Sequence, residues 1–306
     1  MSFKGRDIIS MRDFDMDDVE HVLDVARLME PLARGGSRML EGKILSNIFF
    51  EPSTRTRLSF ESAILKLGGQ YISIPEPNVS AVEKGENLVD TVRVMENYSD
   101  IIVLRHPLEG SSKLASEVAI VPIINAGSGS GEHPTQALLD LYTIKSELGR
   151  IDGLKVALLG DLKYGRTVHS LAYALSLYDT KIYMVSPKTL EMRREILDDV
   201  SGRVEVVETD DVGQVIPEVD VLYVTRIQKE RFPDPEEYEK VRGTYRIGAE
   251  TLRNARSNLI ILHPLPRVDE IASEVDYTPY ARYFKETWYG LVTRMALLCL
   301  VLGAIE

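Results

Sequence analysis

The 306 residues are 44% hydrophobic with a formal net charge of −11; this length allows two domains with substantial cores, and the composition excludes a disordered chain. The acidic balance argues against a nucleic-acid surface, which needs a basic footprint to displace counterions, and a single cysteine, Cys299, excludes disulfides within the chain and cysteine-cluster metal sites. No segment approaches the ~18 apolar residues of a membrane span, and Met1 to Asp7 lacks a signal-peptide core, so the expectation is a cytoplasmic chain that meets no membrane.

Met16 to Leu32 places Val19, Val22, Leu23, Ala26, Leu28 and Met29 at helical spacing, with Asp17 and Asp18 near the start, and predicts an amphipathic helix. Ile44 to Phe50 reads as a buried strand, and Leu58, Ala63, Ile64 and Leu67 suit a helix closed by Gly68-Gly69. Ser53-Thr54-Arg55-Thr56-Arg57 therefore sits at a strand-to-helix junction. Unpaired backbone N–H groups, the positive end of the helix dipole, hydroxyls and guanidinium forks there suit a phosphate. The same residues also suit an ordinary helix start, with Ser53 as N-cap and the arginines on a solvated face.

A strand at Gln70 to Ile74, a loop from Pro75 to Lys84 and a helix from Glu86 to Tyr98 follow, then strands at Ile101 to Leu104 and Val121 to Ile124 with His106 to Ser112 as loop. Gly127 to Gly131 reads as a flexible loop, and Pro134 opens a helix to Leu148. His133 stands at that helix start. It either caps its own helix or stays neutral in the dipole field and offers an N–H to a carbonyl oxygen. Gly149 to Gly153 reads as a linker.

Lys155 to Asp161 begins a second alternation, with a helix from Gly165 to Leu177, strands at Lys181 to Val185, Val204 to Val207, Val219 to Val224 and Leu259 to Leu262, and an apolar final helix from Thr287 to Leu302. The expected fold is α/β, two doubly wound parallel-sheet domains, residues 1–150 and 151–286, with the C-terminal helix 287–306 bridging back to the first. Ligands in such sheets gather at the carboxyl ends of strands, where Ser53, Arg105 and Asn125 to His133 all emerge. The second half carries Arg166-Thr167, Thr225 to Arg231 and His263 to Arg267 at equivalent ends. A cleft lined by Ser53 to Thr56, Arg105, Arg166 and Arg226 suits a multiply anionic substrate, because an acidic chain that binds anions must gather its arginines. Gly160 to Gly165 lacks the GxGxxG spacing, which disfavours a dinucleotide enzyme.

Ser53-Thr54-Arg55-Thr56-Arg57, Arg105-His106-Pro107, His133-Pro134-Thr135-Gln136, Thr225-Arg226-Ile227-Gln228 and His263-Pro264-Leu265-Pro266 together resemble the transcarbamoylase family, in its order and spacing, over nearly the whole chain. Within the family the chain is similar to the catalytic chains of the aspartate branch. The ornithine branch has a cysteine beside the late histidine and an Asp-containing amine-side motif, where this chain has Pro264-Leu265 and the Arg226, Gln228 pair.

The resemblance implies carbamoyl transfer from carbamoyl phosphate to the amino group of L-aspartate, an early step of pyrimidine biosynthesis, with no cofactor, metal or covalent intermediate. It implies that residues 1–150 bind carbamoyl phosphate and 151–286 bind aspartate. Ser53, Thr54, Arg55, Thr56 and Arg105 would hold the phosphoryl group, and Thr56, Arg105 and His133 would donate to the carbonyl oxygen. Gln136 and the Leu265 and Pro266 carbonyls would orient the carbamoyl NH2. Arg166, with Thr167, would take the α-carboxylate, and Arg226 with Gln228 the β-carboxylate. Ser80 and Lys84, in a polar loop that by itself reads as a mobile surface segment, match residues that reach a neighbouring subunit's site in a homotrimer. Glu109 to Ser112 resembles a loop that contacts a separate regulatory chain. Arg57, one residue further round its helix, is expected to be structural. The rival readings are a transcarbamoylase for another amine and a catalytically silent scaffold of the same fold.

Overall fold

In the computed structural model, which describes residues 2–74, 85–227 and 235–305, strands and helices alternate along the chain. The order in the first half is α1 (Met16–Gly35), β1 (Ile44–Phe49), α2 (Thr54–Lys66), β2 (Gln70–Ile74), α3 (Leu88–Met95), β3 (Ile101–His106), α4 (Ser111–Val118), β4 (Ile123–Ser128) and α5 (Pro134–Leu148). The second half runs β5 (Lys155–Leu159), α6 (Arg166–Leu175), β6 (Lys181–Val185), α7 (Arg194–Ser201), β7 (Glu205–Thr209), α8 (Val212–Val215), β8 (Val221–Val224), α9 (Pro235–Val241), β9 (Ile260–Leu262) and α10 (Lys285–Val301). Packing divides the chain into Met1–Tyr142 with Thr287–Glu306, and Thr143–Glu286. Among the described residues no helix is long and apolar enough to cross a membrane.

The first unit holds a parallel sheet in the order β2-β1-β3-β4. The chain steps from β1 out to β2, then returns to the other side of β1 for β3, so the topological switch point lies between β1 and β3. Register pairs Phe49 with Arg105 and His106 with Ser128, which brings the carboxyl ends of three strands abreast. Ile48, Val92, Ile102, Leu104, Ala115 and Ile123 form a core beneath α3 and α4.

Every residue of α10 from Val292 to Val301 is buried, which explains an apolar sequence on all faces of one helix. The part of α10 in this unit is tied to its neighbours: Tyr289 stacks edge-on against Tyr142 at 5.5 Å, Arg294 donates to Ser59 at 3.0 Å and lies over Phe60, and the Gly5 N–H donates to the Val301 carbonyl at 2.9 Å. The lone thiol, Cys299, is fully buried in this run.

Three local expectations change. Residues 111–118, not read as regular structure, form α4. Its buried face is Ser111, Ser112 and Ala115 while Leu114 is exposed, so small residues rather than an apolar stripe carry the packing. The fourth strand starts two residues later than its apolar run and continues through Gly127 and Ser128, because pairing with β3 extends to His106. For the same reason the strand expected to end at Leu104 runs on through Arg105 and takes in His106, read as the first loop residue.

The second unit has the parallel order β7-β6-β5-β8-β9, with its switch point between β5 and β8. Leu159, Val185, Leu222, Val224, Ile261 and Tyr283 anchor its core. The carboxyl ends of β5 and β8 are joined beyond the ladder. The Thr225 N–H donates to the Leu159 carbonyl at 2.8 Å, and the Asp161 N–H donates to Thr225 Oγ1 at 3.2 Å. Gly160, at φ +121°, permits this approach: a methyl there would stand 2.4 Å from the Thr225 carbonyl oxygen.

Candidate active site

In each unit the carboxyl ends of the strands carry residues that the sequence singles out. In the first, β1 delivers Ser53 to the N-cap of α2. Its backbone is extended, yet its hydroxyl makes no capping hydrogen bond, so the first turn of α2 is not closed by its own cap. Thr54 and Arg55 are exposed and Thr56 is buried. Arg57 lies 3.7 Å from Glu61 one turn along the same helix.

Arg105, at the end of β3, turns its fork toward this junction. Nη2 donates to Glu51 at 2.7 Å and Nη1 to the Ala126 carbonyl at 3.3 Å, while the Arg105 carbonyl accepts from the Phe50 N–H. Glu51, read in sequence only as part of a turn, thus sets the rest position of the cation. The signal for it was a carboxylate placed directly before a cationic, hydroxyl-rich stretch. His106, beside it, is pushed below its ordinary pKa by burial, against the pull of Glu51.

After β4 the chain is braced by Asn125, whose amide donates to the Ile9 and Glu132 carbonyls and whose Oδ1 accepts from the Gly127 N–H. Glu132 in turn accepts from Ser10 and from the Met11 N–H. This fixes His133, which is buried, at the mouth of α5. Its carbonyl accepts from the Gln136 and Ala137 N–H groups, and Nδ1 lies 3.4 Å from Thr135 Oγ1. Gln136 is held by Asp140 at 2.8 Å. Ser53, Thr54, Arg55, Thr56, Arg105, His133 and Gln136 all belong to segments leaving the carboxyl edge of one sheet, whereas Ser80 and Lys84 lie outside the described residues.

In the second unit Arg166 is the first residue of α6, buried, with Gly165 as N-cap and half-buried Thr167 beside it. Arg226 follows β8 and contributes, with Gly160, Tyr238, Tyr245 and Glu270, to a cavity of about 100 Å³. Burial, then Asp210 and Asp211, pushes Tyr245 up to about 12. A wider groove of about 440 Å³ lies at the opposite, amino edge of this sheet, lined by Lys155, Lys181 and Arg203; it holds no candidate residue, and each lysine is tied to a glutamate. Gln228 lies outside the described residues.

Leu265 and Pro266 follow β9, joined by a cis peptide, with Leu265 at φ +54°. The loop that carries them is pinned twice: His263 pairs with Glu270, and Arg267 pairs with Asp276 and Tyr283. Burial alone would raise the Glu270 carboxyl, but the His263 hydrogen bond and the Val268 N–H hold it below its ordinary value. His263 and Glu270 were not singled out individually in sequence. The available signal was the repeat of His-Pro-Leu at two strand ends, residues 106–108 and 263–265.

The family description "Aspartate/ornithine carbamoyltransferase, carbamoyl-P binding domain" matches residues 6–146, and "Aspartate/ornithine carbamoyltransferase, Asp/Orn binding domain" matches residues 152–301. A curated relative from Thermococcus onnurineus, named aspartate carbamoyltransferase catalytic subunit, is 57% identical over 100% of both chains. The solved catalytic subunit of M. jannaschii aspartate transcarbamoylase is 54% identical, covers 96% of each chain and superposes with a TM-score of 0.87. The Trypanosoma cruzi aspartate transcarbamoylase, solved in complex with carbamoyl phosphate and aspartate, is 39% identical over 98% of this chain and 96% of that one, with a TM-score of 0.92. The chain belongs to the aspartate/ornithine carbamoyltransferase family, in its branch of aspartate carbamoyltransferase catalytic subunits.

Proposed function

We propose that this chain moves the carbamoyl group of carbamoyl phosphate onto the amino group of L-aspartate, yielding N-carbamoyl-L-aspartate and phosphate. The observation that carries the residue roles is the placement of the family's motifs at the carboxyl ends of the strands that flank each switch point and of the strands next to them, the edge at which open α/β sheets bind ligands. The first unit supplies the phosphate groups: Ser53, Thr54, Arg55 and Thr56 at the start of α2, with Arg105. A dianionic phosphate competes with Glu51 for the Arg105 fork and brings the greater charge.

The amine attacks the carbonyl carbon, a C–N bond forms, and the C–O bond to phosphate breaks. Negative charge on the carbonyl oxygen meets Thr56, His133 and, once phosphate has drawn its fork from Glu51, Arg105, donors already in place when the charge develops. A histidine at a helix N-terminus stays neutral and donates an N–H without giving up a proton. Gln136 and the Leu265 and Pro266 carbonyls hold the carbamoyl NH2. The leaving phosphate accepts the amine proton, so no protein nucleophile is required. From the second unit, Arg166 with Thr167 holds the α-carboxylate and Arg226 with Gln228 the β-carboxylate. Much of the acceleration comes from positioning two charged reactants.

The chain acts in this reading as a cytoplasmic homotrimer in pyrimidine biosynthesis, with Ser80 and Lys84 completing a neighbour's site and with a surface open to a separate regulatory chain. Colorimetric detection of carbamoylated product with aspartate, ornithine and other amines tests the reaction; absence of product with aspartate overturns it. Subunit exchange between inactive Arg55→Ala and Lys84→Ala trimers should restore partial activity, since some sites then receive both intact halves. Persistent inactivity would argue against shared sites.

A further inference from the structure

Two of the His-Pro steps share one local geometry. At the ends of β3 and β9, histidine Nδ1 accepts the N–H of the leucine two residues on, at 3.0 Å for His106 and Leu108 and 2.7 Å for His263 and Leu265. The intervening proline holds the histidine backbone extended, which lets the ring fold back over the turn. An acceptor Nδ1 carries no proton, so the neutral ring carries its hydrogen on Nε2.

For His263 that hydrogen has a defined destination. Nε2 lies 2.7 Å from Glu270 Oε1, and the other carboxylate oxygen accepts the N–H groups of Val268 and Asp269, both at 3.1 Å. One side-chain couple thus ties the end of β9 to the far end of the loop. His263 is 1% exposed and Glu270 7%, and the His263 N–H is itself held by Glu286 at 3.0 Å. Between these anchors Leu265 adopts φ +54°. Side-chain-bearing residues avoid that left-handed region and keep it only where their surroundings impose it. The imposed contact here is the Nδ1 bond to the Leu265 N–H.

We infer that His263 and Glu270 are positioning residues that aim the Leu265 and Pro266 carbonyls at the carbamoyl NH2, and so make the chain select a carbamoyl over an acyl phosphate. This rests on the roles proposed above for Leu265 and Pro266. Acetyl phosphate separates the two ideas, because it keeps the phosphate and the carbonyl but replaces the NH2 donors with a methyl group.

The test measures equilibrium binding of carbamoyl phosphate and acetyl phosphate to the assembled protein and to His263→Asn and His263→Gln. Asparagine places an oxygen near the Nδ1 position and keeps an acceptor for the Leu265 N–H. Glutamine reaches toward Glu270 and leaves that N–H unmet. The unmodified protein should prefer carbamoyl phosphate. His263→Gln should lose about tenfold of that preference, the scale of one or two hydrogen bonds, while His263→Asn, which keeps the Leu265 acceptor but not the Glu270 link, loses about threefold and acetyl phosphate binding stays constant throughout. Retained preference in His263→Gln overturns the positioning role. No preference in the unmodified protein instead overturns the reading of Leu265 and Pro266, and the inference with it. Glu270→Gln, which leaves the imidazole in place, is the second variant should His263→Gln not fold: its preference should fall about threefold, and an unchanged ratio also overturns the proposal.

Discussion

Gly160→Ala tests whether the β5 to β8 switch point governs aspartate binding. An added methyl would stand 2.4 Å from the Thr225 carbonyl oxygen and 2.7 Å from Thr225 Oγ1, so the Thr225 segment must retreat by about 1 Å to reach ordinary contact. That retreat strains two hydrogen bonds, from the Thr225 N–H to Leu159 and from the Asp161 N–H to Thr225 Oγ1. Each contributes about 1 kcal/mol, and a side chain at φ +121° adds roughly 1–2 kcal/mol. The expected loss is about 3–4 kcal/mol, or roughly 10 °C in Tm for a unit of this size. Arg226 is the next residue, and a displacement near 1 Å at a positioning group costs about 100-fold. The KM for aspartate should therefore rise by about 100-fold, while competitive inhibition by inorganic phosphate, assigned to the first unit, changes less than about twofold. Steady-state kinetics with each substrate varied in turn separates the two. An unchanged aspartate KM would refute the reasoning.

Arg105→Ala should lower kcat for carbamoyl transfer by about 100- to 1000-fold, the usual loss of an oxyanion donor, and Arg105→Lys should recover only part of it because an ammonium has no planar fork; product formation at saturating substrates measures both. Burial pushes the Cys299 thiol up to about 12, so iodoacetamide at pH 8 should label it only after unfolding, as followed by mass spectrometry. Against the pull of burial, the Glu270 carboxyl is held below the ordinary glutamate value in the fold by its hydrogen bonds from His263 and the Val268 N–H. Its stabilisation is complete above about pH 4.5 and fades as pH falls through the lower folded value. Unfolding measured by urea between pH 3 and 6 should thus show a shallower acid loss in Glu270→Gln, and an identical slope would contradict the assignment.

Element type and order were legible in the residues themselves. Ile182 to Val185 is a continuous apolar run, and Ile44 to Phe49 is apolar apart from the buried Ser46 and Asn47, because a parallel sheet is covered on both faces, and Pro134 marks the start of α5 because its missing N–H is tolerated only in a first turn. The anionic character of the ligand was legible as well, from hydroxyls and guanidinium groups concentrated at strand ends in an acidic chain. α4 was not, since Ser111, Ser112 and Ala115 bury a face with no hydrophobic period.

What only the tertiary structure decided are the relations set by register and by contacts distant in sequence. Pairing Phe49 with Arg105 brings Glu51 onto a guanidinium 54 positions away. The close pass of Gly160 and Thr225 depends on β5 and β8 becoming neighbours across the switch point. The partners of His263 follow from how a loop folds back on itself rather than from any local propensity. A sequence specifies which groups are available and on which element they ride; which pairs meet, and at what angle, is the outcome of packing the whole sheet.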